Sequence, residues 1–449
     1  MRRFRANSFL RSVAVLMTGA GVAQGLNLLI LPLLTRIFAP QDFKVFAVFS
    51  ALAIVASLAS CLGFDFALPF AKDDEDGANL LTCALVSVVG VSALVAGVGF
   101  VAFHFNLVPR ASASASYQRF IWLLPLATLM IGWTNAFEYW STRRKRFRLI
   151  SQCRIGQVAV GGGVQIAAGL AGSGSMGLLA GYVLMGAAAL LILAGVAWKH
   201  DRHLLAFVSL ARARRAASAY GSFPRFTALE SLASACSLYL PVLIISAALP
   251  GPEAGFLALA MRLVQSPLFL ISRSVSQVYL SQARESHEGG QLTEDTARVL
   301  RNLIGLVTGP LVAVAILAPG LIPLVLGAVW KPVGIYIAWI MPWAYLQFLS
   351  VAVLTTMYAL RLNARIMWLT LFGLVLRSAM VGLTAIYWIR AVIPSYAASG
   401  ALFYGLCLAI FMRANQVRIW DIAPKSRLAL LGLTGFPLAA AILELVLIH

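Results

Sequence analysis

The sequence has few charged residues, and acids are the scarcest of them. Only 11% of its 449 residues are charged, and 16 Asp plus Glu stand against 35 Lys plus Arg. Soluble domains carry about 25% charged residues, so the composition excludes a soluble globular chain. Cysteines are also few and show no metal or redox spacing, which predicts buried thiols without disulfides. They are Cys61, Cys83, Cys153, Cys236 and Cys407.

The patterns of a catalytic or cofactor site are missing as well. The sequence contains no nucleophile–base arrangement, Gly-rich phosphate loop or metal-ligand cluster. The acidic run 73–76 lacks the twelve-residue ligand spacing of a calcium loop and precedes an apolar run, which favours helix capping. We therefore expect no enzyme activity, no cofactor and no metal.

Long apolar runs make up most of the chain, which is 61% hydrophobic. Roughly 20 apolar residues cross the ~30 Å hydrocarbon layer as a helix. The runs are continuous and the links between them short, so the predicted fold class is an all-α polytopic membrane protein. The thirteen predicted spans lie near 12–34, 43–64, 79–104, 118–141, 149–171, 176–198, 224–249, 255–281, 298–326, 333–360, 363–389, 393–413 and 427–447.

An internal repeat divides the chain. Leu31-Pro32 before the second span is echoed by Leu240-Pro241 before the eighth, an offset of about 210 residues. Six spans followed by six similar ones predict two six-helix lobes related by a pseudo-twofold axis along the membrane normal. The predicted domains are an N-terminal lobe, a basic cytoplasmic linker, a C-terminal lobe and an extra C-terminal helix. Their bounds are 1–198, 199–223, 224–413 and 414–449.

The net charge of +19 is concentrated in four links that fall on one side of the predicted topology. Lys and Arg collect in short cytoplasmic loops, so we expect a cytoplasmic N-terminus and contact of these loops with anionic lipids. No basic stripe accompanies a soluble fold, which argues against nucleic acid as a partner.

Four arginines fall inside predicted spans. Each costs roughly 2.5–3.5 kcal/mol at membrane depth, so such residues usually face a cavity or a partner. Arg262 and Arg273 are eleven residues apart and share one helix face. Arg377 lies near the middle of its span, and Arg154 enters its span beside a basic cluster. We predict that these cations line a wet cavity and bind an anionic passenger.

Other polar residues in the spans are predicted to assist. Gln24 and Asn27 lie a turn apart and would line the cavity or hold helices together. Glu230 is expected to pair with Arg273 or to couple an ion. Asp65 is a second candidate for ion coupling. The simpler expectation for Asp65 and Glu138 is a salt bridge to the basic cluster 143–148.

Five strings of the sequence stand out as a set: LLTRIFAP at 33–40, ALP at 67–69 before KDDED at 72–76, LAMRLVQSP at 259–267, VSQV at 275–278 and LQFLS at 346–350. Together they resemble the O-antigen and polysaccharide flippases, a family of the multidrug/oligosaccharidyl-lipid/polysaccharide exporter superfamily. The resemblance implies a bacterial inner-membrane protein that moves an undecaprenyl-pyrophosphate-linked oligosaccharide to the periplasmic face. A polysaccharide polymerase and a chain-length regulator would be further partners. Arg262 lies inside a resembling string; Arg154, Arg273 and Arg377 do not.

Two other functions remain open from the sequence. A cation-coupled drug or organic-cation antiporter of the same fold would depend on Asp65 or Glu230 rather than on arginines. A non-transporting membrane subunit of a glycan assembly complex would tolerate neutral replacements at cavity positions.

Overall fold

The structure is a computed structural model that describes residues 2–105, 115–221, 223–268, 272, 292–359, 363–418 and 422. Within these residues the regular structure is helical throughout, with short 3₁₀ and π turns between long α-helices. The predicted all-α polytopic fold class is confirmed. The predicted thirteenth span, 427–447, lies outside the described residues.

Fourteen α-helices occur in the part of the chain that the structure describes. The first eight are α1 Arg2–Ile37, α2 Pro40–Ser60, α3 Phe64–Ala67, α4 Asp74–His104, α5 Ala115–Arg143, α6 Phe147–Leu170, α7 Ser175–Asp201 and α8 Leu210–Ala219. The other six are α9 Ala228–Ala248, α10 (253–268), α11 Leu292–Leu326, α12 Lys331–Ala359, α13 Asn363–Tyr387 and α14 Val392–Ala414.

Eleven of the first twelve predicted spans each coincide with one long helix, and the eighth, 255–281, is helical over its described residues up to 268. Helices α3 and α8 are additional short helices. Nine helices of the described residues are long and apolar enough to cross a membrane. Helices α5, α6 and the described part of α10 are not among the nine. Polar residues such as Gln157 and Arg154 dilute the apolar sequence of α6.

Helix starts follow the local sequence. Asp73 caps α4, because its Oδ1 accepts a hydrogen bond from the backbone N–H of Asp76 at 2.7 Å, as the acidic run predicts. Pro40 occupies the first turn of α2, and the Asp42 carboxylate accepts from the Ala39 N–H at 3.0 Å. Ser209 caps the short basic helix α8.

The chain divides into two compact units. The first contains Met1–Leu243 and Pro250–Gly255, and the second contains Ile244–Leu249 and Phe256–His449. The segment at 250–255 packs on α2 of the first unit, where Lys44 Nζ donates to the Pro250 carbonyl at 3.1 Å. The domain bounds given above from the sequence stay a prediction.

Close helix contacts in the first unit depend on glycine. A Cβ added at Gly181 of α7 would lie 2.3 Å from Gln165 Cγ and 2.8 Å from the Gly161 carbonyl oxygen of α6. A Cβ at Gly19 of α1 would overlap the Ser151 side chain of α6. Such small residues let helix backbones approach closely within a membrane, where packing replaces the hydrophobic effect as the cohesive force.

Replacing Gly181 with leucine is expected to separate α6 from α7. The new side chain would meet backbone as well as Gln165, and overpacking costs typically 1–3 kcal/mol even for extra methylenes. Thermal unfolding of the purified protein in detergent should therefore begin at a lower temperature. Gly195 on the same helix has no atom within 4 Å of an added Cβ, so Gly195→Leu is the matched control. Equal melting of the two variants would contradict this packing.

Candidate functional site

The second unit encloses Arg377 among aromatic rings. Its guanidinium carbon lies 4.4 Å from the centroid of the Trp343 ring of α12 and 5.1 Å from that of Tyr396 of α14. Trp343 itself packs edge-to-face on Tyr396 and stacks on Tyr404. The arrangement is a cation–π cluster, which contributes about 0.5–2 kcal/mol when desolvated.

A glycine makes the cluster possible. A Cβ at Gly400 of α14 would lie 2.5 Å from the Trp343 ring, so glycine lets the indole lie flat against that helix. Trp343 is fully buried, and Arg377 is only 1% exposed. The rings of α12 and α14 cover the guanidinium, so Arg377 is enclosed in this conformation rather than open to solvent. Its predicted role in binding an anion stays a prediction.

Arg262 lies on α10 in the same unit and is half-buried. The neighbouring Met261 Sδ accepts a hydrogen bond from the Tyr396 hydroxyl at 3.4 Å. One turn further on, Gln265 Nε2 donates to Gln347 Oε1 at 2.8 Å, which ties α10 to α12. Arg273, the other predicted cation of this helix, lies outside the described residues, as does its predicted pairing with Glu230.

The first unit holds Arg154 in an ion pair. Its Nη2 donates to Glu138 Oε1 across the α5–α6 turn, and the two side chains are 32% and 30% exposed. Glu138 thus pairs with Arg154 rather than with the basic cluster 143–148 as predicted. Helix α6 directs Arg154 back toward α5, while that cluster faces other carboxylates. The charge of Arg154 is therefore compensated by a carboxylate in this conformation.

The remaining predicted residues also lie in the first unit. The Nε2 of Gln24 is buried and has no hydrogen-bond partner among the described residues, whereas Asn27 makes polar contacts. Glu230 is half-buried in the first turn of α9. The predicted set is therefore divided, with Gln24, Asn27, Asp65, Arg154 and Glu230 in one unit and Arg262 and Arg377 in the other.

Among the residues that the structure describes, the buried carboxylate of Asp65 has no cationic partner. It is 5% exposed, lies on the short helix α3, and its Oδ1 has no hydrogen-bond partner among the described residues. The predicted salt bridge to the basic cluster is wrong, because Arg143 donates instead to the carbonyls of Leu68 and Ala71 at 3.2 and 2.7 Å. Burial raises the pKa of Asp65 to about 6, against a smaller opposing effect of backbone N–H donors.

Stability should therefore depend on pH through Asp65. The folded pKa lies above the ordinary 3.8, so the fold favours the protonated acid, and this contribution is lost as pH rises through about 6. The wild-type protein should therefore melt at a higher temperature at pH 5 than at pH 8. Asp65 should contribute about 1.4 kcal/mol to the difference in unfolding free energy, because about one pKa unit separates pH 5 from its folded pKa. Asp65→Asn should flatten the difference, whereas Glu294→Gln at an exposed position should not. An unchanged slope in Asp65→Asn would overturn the assignment.

The structure also contains a charged cluster around Asp201 that was not predicted from the sequence. Arg146 binds the carboxylate through two hydrogen bonds of 2.7 and 2.9 Å, and Trp140 Nε1 donates to it at 2.9 Å. Arg144 Nη2 lies 3.1 Å away and bridges to Asp74 at 2.9 Å. The sequence signal was present, since Asp201 is the one acid in the basic stretch 199–223.

Further contacts hold the basic stretch 199–223 against the rest of the first unit. Asn79 of α4 donates to the Phe207 carbonyl at 3.2 Å and accepts from the Ser209 N–H at 3.3 Å. Arg212 of α8 lies 3.3 Å from Glu75, and the Tyr220 hydroxyl accepts from the Lys72 N–H at 3.2 Å. Of the three arginines of α8, Arg212 is in an ion pair with Glu75, and Arg212, Arg214 and Arg215 are all exposed.

Comparison with known proteins gives a family and a fold. Residues 33–334, well over half of the chain, match the family described as polysaccharide biosynthesis protein. No curated protein matches the chain in sequence. The resemblance found in the sequence strings is therefore confirmed at the level of this family.

Solved structures of low sequence identity share the fold. The lipid II flippase MurJ in an inward closed conformation aligns with a TM-score of 0.65 at 12% identity, covering 97% of this chain and 100% of that one. An inward-facing multidrug resistance MATE family transporter of the MOP superfamily aligns at 0.61 and 13%, covering 91% and 96%. A MOP superfamily transporter from Pyrococcus furiosus aligns at 0.58 and 13%, covering 91% and 96%.

Proposed function

This chain belongs to the polysaccharide biosynthesis protein family, and we propose that it is a flippase that carries a lipid-linked oligosaccharide across a membrane. The family match over residues 33–334 is the observation that carries the proposal, because it ties the chain to glycan assembly. The fold shared with the lipid II flippase MurJ supports transport as the chain's part in that assembly. The passenger would be an oligosaccharide on undecaprenyl pyrophosphate.

Alternating access is the proposed mechanism. The headgroup would pass through a polar path between the lobes while the lipid tail remains in the bilayer. Arg262, Arg273 and Arg377 would neutralise the pyrophosphate, since guanidinium groups bind phosphate oxygens through two parallel hydrogen bonds. Arg154 would contribute only when its pair with Glu138 opens.

The remaining predicted residues have smaller proposed roles. Gln24 and Asn27 would contact the saccharide or its diphosphate through neutral hydrogen bonds. Asp65 and Glu230 would carry the coupling ion, if one drives transport. The buried and unpaired carboxylate of Asp65 suits a proton, because its pKa of about 6 allows uptake and release near neutral pH.

The proposed location is the bacterial inner membrane with a cytoplasmic N-terminus. The basic clusters, including the exposed Arg214 and Arg215, would face anionic lipid headgroups there. A polysaccharide polymerase and a chain-length regulator would act on the delivered saccharide.

A genetic experiment separates this function from the two alternatives. Deleting the gene in its host should abolish surface glycan and cause the lipid-linked saccharide to accumulate on the cytoplasmic side, and the wild-type gene should reverse both. If the deletion instead raises sensitivity to toxic organic cations and leaves the glycan intact, the protein is an antiporter. If export depends on the protein's presence but survives Arg262→Ala, Arg377→Ala and their combination, the protein is a non-transporting subunit.

A further inference from the structure

The second unit contains a buried cation, Arg377, whose hydrogen-bonding edge has no acceptor among the described residues. Arg377 is 1% exposed, and its Nε and Nη2 have no hydrogen-bond partner among the described residues. These two nitrogens lie on the same edge of the guanidinium group, where their N–H bonds run parallel. That edge is the one with which arginine binds a carboxylate or phosphate through two bonds.

Two neighbouring groups add to this excess of buried hydrogen-bond donors over acceptors. The Trp343 Nε1, which only donates, and the Ser378 hydroxyl are both buried and lack a partner among the described residues. The Trp343 ring stands 4.4 Å from the guanidinium carbon, so the indole and Arg377 belong to one cluster. Each buried donor left unpaired costs about 1–3 kcal/mol. The cluster is therefore rich in donors and suits an acceptor.

The absence of acidic residues from the surrounding helices also favours an anionic ligand at Arg377. The sequence has no Asp or Glu between Asp295 and Asp421, so α12, α13 and α14 contain no acid to neutralise Arg377. Contact with aromatic faces stabilises a cation less than removing that cation from water destabilises it, so the rings alone do not compensate the buried charge of Arg377. Arg154 of the first unit differs, since Glu138 compensates its charge.

We propose that Arg377 and Trp343 form a subsite for an oxyanion of the phosphate class. The parallel Nε–H and Nη2–H groups of Arg377, the Arg377 fork, would donate to two oxygens of the anion. The Trp343 N–H would donate a third hydrogen bond. The subsite is enclosed in this conformation. An anion would therefore enter it in a second conformation, in which α13 and α14 are further apart.

Two sources share this chemistry. One is the diphosphate of a lipid carrier, which rests on the proposed function, and the other is a free phosphate or diphosphate ion. Simple halides use the fork less well, because a single sphere does not match two parallel donors.

Binding to the full-length purified chain in detergent tests the proposal. Inorganic pyrophosphate and undecaprenyl pyrophosphate are titrated separately, and the melting temperature is followed as the readout. At least one probe should stabilise the wild-type protein in a saturable manner. Arg377→Lys keeps the charge but loses the fork, and should weaken that probe roughly tenfold or more.

Two further variants complete the experiment. Trp343→Phe keeps a ring over the guanidinium and removes only the N–H, so it should weaken binding by a smaller factor. Arg390→Lys changes an exposed arginine just beyond the end of α13 and should leave binding unchanged. If Arg377→Lys does not fold, Trp343→Phe compared with Arg390→Lys decides the question.

The outcomes separate the sources. Arg377-dependent binding of the lipid alone places a lipid headgroup at the fork, and Arg377-dependent binding of inorganic pyrophosphate alone identifies a free anion. No binding of either probe to the wild type, or binding unchanged in Arg377→Lys and Trp343→Phe, would overturn the subsite. A chain that binds through Arg377 but fails to export glycan would keep the subsite and lose the proposed function.

Discussion

Replacing Asp201 with asparagine is expected to destabilise the first unit severely. The carboxylate is buried and holds Arg146, Arg144 and Trp140 at once. Removing one partner of a buried ion pair costs about 3–5 kcal/mol, because the remaining charges are left uncompensated. For a unit of this size, we expect a fall in melting temperature on the order of 10 °C.

Asp74→Asn is the matched control for Asp201→Asn. Asp74 also contacts two arginines, Arg143 at 3.4 Å and Arg144 at 2.9 Å, but its side chain is 48% exposed. Exposed pairs contribute about 0–1 kcal/mol, so this variant should melt within a few degrees of wild type. Thermal unfolding of both variants in the same detergent checks the comparison. Similar melting of the two would show that burial does not govern the cluster.

Replacing Arg262 with alanine is expected to abolish glycan export while the protein remains in the membrane. Arg262 lies on α10 inside the family-matched region and is half-buried, so it is accessible to a passenger in a way that Arg377 is not. Losing a charge-assisted bidentate contact removes about 3 kcal/mol, which corresponds to roughly a hundredfold in rate. Surface glycan measured in the complemented deletion strain reports the effect.

Two comparisons make the Arg262 result specific. Arg262→Lys keeps the charge without the fork and should retain partial export. Arg298→Ala removes an exposed arginine of the same unit that pairs with Glu294 and Asp295 of its own helix, and this variant should export normally. Normal export by Arg262→Ala would contradict a cationic path for the headgroup.

The sequence predicts the helices well because each span is set by its own apolar residues. Eleven predicted spans coincide with long helices in the described residues, and Asp73 caps α4 as its position before an apolar run indicates. These features depend on neighbours in the chain, so no knowledge of tertiary contacts is needed.

Pairing between helices was harder to predict. The rings that cover Arg377 come from Trp343 and Tyr396, which are 34 and 19 positions away, and only the packing of α12 and α14 brings them together. Glu138 lies close to both Arg154 and the basic cluster in sequence, so its choice of partner depends on the geometry of the α5–α6 turn. In sequence, Asp201 is one residue of a basic stretch. Only the packing of the end of α7 against the link between α5 and α6 brings it next to Arg144 and Arg146.

The most direct measurement is a flipping assay with the purified chain in sealed vesicles that contain a defined undecaprenyl-pyrophosphate oligosaccharide in one leaflet. The account predicts that saccharide appears in the opposite leaflet only when the wild-type protein is present, and that vesicles with Arg262→Ala behave like protein-free vesicles. If correctly folded wild-type protein moves no lipid-linked saccharide in either direction, under a proton gradient or without one, a flippase is the wrong description of this chain.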